Sequence, residues 1–251
     1  MTQNWQEYKV DKIRKDPSLD LAVLKILDLN NNEPKNLKAA NIIDKESKIK
    51  IWQFVVSIWN ALSKFENTAS FGIISGKDRQ LDNLPNDKIY AGLYQTDASL
   101  NPGNSWGPLM DVNWNVLGIN TAISAIWQWI WFAIPVNQQI IDNTINSIKK
   151  KDTILRPFLW VGYQEITSQL AKNQNLQTKN WLYINEIVPW SPADKANIQK
   201  WDILTHFEGK PVNNKSFWYM LYSYEVWDTI QITINSNGET RKLKTTLSTN
   251  S

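Results

Sequence analysis

Apolar and polar positions follow two rhythms along this chain. Short runs of β-branched and aliphatic residues recur at 17–29 (PSLDLAVLKILDL), 49–59, 71–76 (FGIISG), 116–123 and 130–135 (IWFAIP), separated by Asn- and Lys-rich polar stretches. Runs of that length between turn-forming segments predict strands. From Val136 to Lys151 the period changes, because VNQQIIDNTINSIKKK puts Val136, Ile140, Ile141, Ile145 and Ile148 at helical spacing and ends in three lysines. That pattern predicts a helix whose cationic end suits its C-terminal dipole. A short junction, DTILRP at 152–157, precedes a second block. Its strand-like runs WLYINEIVP, WDILTHFEG, TIQITIN and ETRKLKTTL are mixed with helical patterns around 164–174 and 214–224. The pattern therefore predicts a mainly β first domain over 1–151 and an α+β second domain over 156–248, with a boundary near 155.

Length and composition narrow the class. The chain has 251 residues, 42% hydrophobic and 20% charged, which is ordinary globular usage and excludes a disordered or collagen-like chain. A net charge of +3 is too small to argue for nucleic acid or an anionic membrane. No apolar run approaches the length of a membrane span, and MTQNWQEYKVDKIRK has no apolar core of a signal peptide, so neither is expected. With no cysteine there is no disulfide and no thiolate chemistry, and one histidine, His206, cannot build a multi-histidine metal centre. No metal and no cofactor are expected.

The sharpest local signal is NPGNSWGPLMDVNWNVLGINTAI at 101–123. A GNS turn alone is an ordinary Asn/Ser turn. Here, however, DPSLDLAVLKI (16–26) precedes it and WFAIPVN (131–137) follows it. The three segments resemble, in order and spacing, the aspartate segment, the GNSGGPL nucleophile region and the GFAIP strand of trypsin-like serine proteases of the HtrA/DegP type. Further on, RPFLWVGYQEI (156–166), VPWSPADKANIQKWDIL (188–204) and the strand pair near 227–247 resemble the PDZ domain that follows such protease domains. The resemblance implies a trypsin-like double β-barrel, its first barrel incomplete, followed by a PDZ domain.

What the resemblance implies chemically is acyl transfer, in which an imidazole activates a hydroxyl, a carboxylate orients the imidazole, and backbone N–H groups face the oxyanion. On this likeness Ser105 is the nucleophile and Asp20 the orienting carboxylate, with the amides of Gly103 and Ser105 forming the oxyanion hole. Leu100, Ile123 and Ile130 line an apolar primary pocket. The loop Leu159, Trp160, Val161 holds a peptide carboxylate beside a strand-adding groove. The implied role is protein quality control in a cell envelope or periplasm-like compartment, on unfolded or C-terminal peptide segments of client proteins. A homotrimer and a membrane anchor are properties of segments not matched here.

The family's base should stand well before Asp20, and no histidine does; His206 lies in the PDZ-like block. The order Asp20, Ser105, His206 matches no known triad order, so His206 receives no catalytic role. The chain therefore reads as an inactive fragment lacking the His-bearing strands, through a misplaced start or a split gene. The alternative is a catalytically dead peptide-binding adaptor, a pseudoprotease.

Tryptophan changes the picture once more. There are 14 tryptophans and 9 glycines, whereas glycine usage averages about 7% of a chain. Trp52, Trp59, Trp106, Trp114, Trp127, Trp129, Trp131, Trp160, Trp190 and Trp201 stand where the resembling motifs have glycine. Trp5, Trp181 and Trp227 fall at glycine-like turns, and Trp218 is ambiguous. A common cause is expected: a gene whose UGA codons mean glycine, translated with UGA as tryptophan. A surface of aromatics stacking sugars or bases is the other explanation.

Overall fold

A computed structural model describes residues 6–35, 37–44, 47–61, 65–81, 90–99, 105–121, 130–173, 181–212 and 214–249. Two compact units result, one from Met1–Ser75 and Gln95–Leu155, the other from Gly76–Tyr94 and Arg156–Ser251.

The first unit opens with an antiparallel ribbon, β1 (Lys9–Lys15) against β2 (Ala22–Leu27). Asp16 organises the turn between them: its carboxylate accepts from the Ser18 and Leu19 amides at 2.9 and 3.0 Å, and its own amide donates to Leu21 O at 3.0 Å. The run 17–29 is thus a bend followed by a strand, because its first four residues serve that turn.

The next strands along the chain are β3 (Asn41–Ile42), β4 (Phe54–Ala61), β5 (Phe65–Leu81), β6 (Tyr90–Thr96), β7 (Pro108–Asp111), β8 (Asn115–Thr121) and β9 (Trp131–Pro135). They pair in the order β3-β8-β7-β4-β5-β6-β9, and β9 also pairs β8. The sheet therefore closes on itself as a six-stranded barrel, with β3 added in parallel to the start of β8. Closure removes the exposed edges that an open sheet would present. Along these strands Val55, Ile74, Leu109, Leu117 and Ala133 are completely buried. The β7–β8 hairpin is shaped by Asp111, whose carboxylate accepts from the amides of Asn113 and Asn115 at 2.9 Å each.

Helix α1 (Gln138–Lys151) starts at Asn137, whose side chain accepts from the Ile140 amide at 2.9 Å. It ends at Asp152, in the left-handed conformation, whose amide donates to Ile148 O at 2.8 Å. The expected apolar face is corrected at one position: Ile145 lies exposed, and Asn143 and Thr144 take the buried stripe beside Ile140. Thr144 tolerates burial because its hydroxyl donates to Ile140 O at 2.6 Å.

The second unit holds a sheet ordered β10-β11-β12-β14-β15, with β13 on β12. These are β10 (Val161–Glu165), β11 (Leu182–Ile187), β12 (Ile203–Phe207), β13 (Lys210–Pro211), β14 (Thr229–Ser236) and β15 (Glu239–Thr246). Helices α2 (Ser168–Asn173), α3 (Pro192–Lys195) and α4 (Asn214–Tyr222) accompany it. The period-two pattern of TIQITINS buries Ile230, Ile232 and Ile234. They join Leu159, Leu182, Leu204, Phe207, Phe217 and Leu221 in one core. Asn237 and Gly238, both at positive φ, make the two-residue turn between β14 and β15, as such hairpins require.

Candidate functional site

Two places concentrate the residues singled out from the sequence. The first is the turn leading into β7. Ser105 is half-buried there, next to the exposed Trp106 at φ +67°. The turn is anchored from one side: the Trp106 amide donates to Asn120 O and the Asn120 amide to Gly107 O, both at 2.8 Å. Asn120 itself is fully buried, and its side-chain amide donates to Ser57 Oγ at 2.7 Å and Pro108 O at 3.3 Å. Among the described residues its Oδ1 has no hydrogen-bond partner. The buried pair Asn120–Ser57 thus holds β8 and β4 behind the turn.

Asp20 sits half-buried at the end of the bend before β2. Ile130 is half-buried immediately before β9. Gly103, Leu100 and Ile123 lie outside the described residues, as do Trp127 and Trp129. His206 lies on β12 of the second unit, its Nδ1 3.0 Å from Thr205 Oγ1.

The second place is a cleft of about 260 Å³ between the start of β10 and helix α4. Leu159, Trp160 and Val161 are brought together there with Phe217, Trp218 and Leu221. Leu159 is 2% exposed and belongs to the core, and Val161 packs against it. Trp160, at φ +61°, turns the chain into β10. Its indole N–H donates to Ser248 Oγ at 2.9 Å and Thr249 O at 3.2 Å. One step on, Gly162 is required by close packing: a Cβ there would come within 2.7 Å of Glu186 Cβ on β11.

Behind the cleft, the Tyr163 ring stands edge-on to Phe217 at 5.5 Å. Its hydroxyl is buried without a partner, and that burial pushes its pKa well above the usual phenol range. Among the described residues β10 is an edge strand, so its outer backbone faces a direction from which an extended chain can pair. An apolar cleft beside such an edge suits a peptide with an apolar side chain. Phe158, Phe217, Trp218 and Leu221 were not anticipated from the sequence. The only signal for the last three was the aromatic run FWYML within the helical pattern at 214–224, more than fifty residues from Leu159.

Among the described residues no group of three or more His, Cys, Asp or Glu side chains is placed to hold a metal ion. No described helix is long and apolar enough to cross a membrane.

Two family models match this chain. Residues 1–119 match the model of the trypsin-like peptidase domain, and residues 166–247 that of the PDZ domain. The probable periplasmic serine endoprotease DegP-like of Hahella chejuensis is 34% identical over 214 residues, which is 84% of this chain and 43% of that protein. The periplasmic serine endoprotease DegP of Escherichia coli is 32% identical over 212 residues, 83% of this chain and 42% of that one. The chain thus spans less than half the length of these curated relatives. Among solved structures, the HtrA-type protease AlgW with a tripeptide aligns at a TM-score of 0.66 and 26% identity, covering 96% of this chain and 77% of that one.

Proposed function

Because the chain joins a trypsin-like peptidase domain to a PDZ domain, in the manner of the HtrA/DegP serine proteases to which it is similar, we propose that it is the Ser105-bearing part of an envelope quality-control endopeptidase. Ser105 Oγ attacks the scissile carbonyl to form an acyl-enzyme. Asp20 orients the base, and the amides of Gly103 and Ser105 receive the oxyanion. Leu100, Ile123 and Ile130 accept an aliphatic side chain of the substrate. The single observation that supports this most is the Ser105 turn, tied by two backbone hydrogen bonds to β8 of a closed barrel. A nucleophile needs such fixed placement to profit from proximity.

The cleft beside β10 captures a client's C-terminus or unfolded segment by strand addition, the apolar side chain entering between Leu159 and Leu221. A periplasm-like setting follows from the relatives' description. The one histidine, on β12, supports a second statement: these 251 residues alone do not turn over substrate, since a serine hydroxyl without a base is a poor nucleophile.

The test measures hydrolysis of an unfolded protein and binding of an apolar C-terminal peptide by the full chain, beside Ser105→Ala. Peptide binding without hydrolysis is expected. Ser105-dependent hydrolysis would overturn the inactivity, and no peptide binding would overturn the capture role. Activity gained by the product of the gene with its upstream DNA would favour the protease over a dead adaptor.

A further inference from the structure

Eleven tryptophans lie among the described residues, and seven of them, Trp52, Trp106, Trp114, Trp160, Trp190, Trp201 and Trp227, have φ between +61° and +82°. In that left-handed region Cβ crowds the following carbonyl, so glycine enters it freely, asparagine and aspartate sometimes, and bulky residues rarely. The other non-glycine residues found there are three Asn and two Asp, which follow the rule, and one Glu. The 7 phenylalanines and 8 tyrosines supply a control of similar bulk and chemistry, and not one of them has a positive φ. Aromatic character is therefore not what brings a residue to these turns.

The fold, by contrast, needs the turns. The amides of Trp52, Trp106 and Trp201 donate to the carbonyls of Ile74, Asn120 and Ile184 at 2.8–2.9 Å. That of Trp190 donates to the Asp194 carboxylate at 2.8 Å, beside the N-cap of α3. These bonds fix the backbone and leave the side chain nothing to do. Six of the seven indoles point into solvent, from 56% exposed at Trp201 to 84% at Trp190. Their contacts are slight: Trp201 lies against Tyr183 at 5.5 Å and under Lys200.

One feature argues the other way. A cavity of about 530 Å³ is walled by Trp160, Trp190 and Trp227 with Lys195 and Lys244, an arrangement that could stack an anionic aromatic or sugar ligand. It explains three of the seven positions. Trp52, Trp106 and Trp114 belong to the other unit and Trp201 does not line the cavity, so a ligand leaves four strained turns without a cause.

We propose that the working protein carries glycine at positions 52, 106, 114, 160, 190, 201 and 227. In this gene's own code UGA means glycine, and tryptophan arises when it is read by a code in which UGA means tryptophan. The tryptophan-walled cavity then has no counterpart in the cell. The turn after Ser105 and the turn into β10 regain the residue that holds a left-handed backbone without strain.

The decisive experiment is peptide mass spectrometry on the protein isolated from cells that carry the gene, together with the codons at the seven positions. Glycine in those peptides and UGA in the gene are expected; tryptophan in them, or UGG codons, overturns the proposal. A second measurement needs no native source. The full chain is made in a standard-code host with all seven tryptophans and with all seven replaced by glycine. Relief of left-handed strain outweighs glycine's chain-entropy cost, so the replaced chain should melt higher by on the order of 10 °C. Trp218→Gly, inside helix α4, should melt lower. A seven-glycine chain that melts below its tryptophan parent overturns the proposal.

Discussion

In the second unit the groove is walled by regular elements, with β10 on one side, α4 on the other and the core residues Leu159, Phe217 and Leu221 as its floor. In the first unit Ser105 stands on a turn held by two backbone hydrogen bonds to β8, and the groups proposed to act with it come from separate loops. A groove of that kind is inseparable from the hydrophobic core, so binding and stability fall together. A serine on a tethered turn can lose its alignment while the barrel beneath it survives. The difference explains why peptide capture can outlast catalysis in a chain of this design.

The largest expected effect tests the first half of that contrast. Phe217→Ala should cost about 3–5 kcal/mol of stability, read as a lower urea midpoint for the second unit, and peptide binding should vanish with it. Peptide binding at unchanged affinity would break the comparison, since the groove would then not depend on its floor.

An intermediate effect tests the second half. Asn120→Ala removes the donor to Ser57 and Pro108 and should cost about 1–3 kcal/mol, while hydrogen exchange at the Trp106 amide rises more than at Leu109 in the barrel wall. Equal protection at both amides would mean that the turn is not held through Asn120.

The smallest effect is electrostatic and confined to the first unit. The hydrogen bond from the Arg14 guanidinium to Asp152 holds that carboxyl below the usual carboxylate range, against an opposing cost of desolvation. A carboxyl with a lowered folded pKa stabilises fully above its unfolded pKa, and that contribution disappears as pH falls through the folded value. The pair is exposed, so a shallow acid-side loss of stability in the first unit is expected. Arg14→Gln should weaken that acid dependence, leaving the smaller part that Lys12 contributes, and an unchanged pH profile in the variant would assign it elsewhere.

Much of this architecture is legible in the chain itself, and the failures have physical causes. Helix α1 announces itself through its 3.6-residue period and its lysine end. Ile145 was misplaced because a stripe of apolar residues does not reveal that Thr144 can be buried by bonding back to Ile140. Of β5, only FGIISG reads as a strand; FENTAS before it and KDRQL after it carry no apolar run. Ser105 stands out from its neighbours, whereas Asn120 and Ser57, which support its turn, are ordinary polar residues until the fold buries them together. The tryptophan excess is visible in composition, but only the backbone angles separate Trp52 or Trp190, at left-handed turns, from Trp218, inside a helix.

The clasp between Arg14 and Asp152 joins residues 138 positions apart. During synthesis β1 leaves the ribosome long before the last turn of α1 exists, and the guanidinium has no acceptor there until Asp152 emerges. The clasp can therefore close only after every barrel strand has been made, whatever holds the ribbon before then.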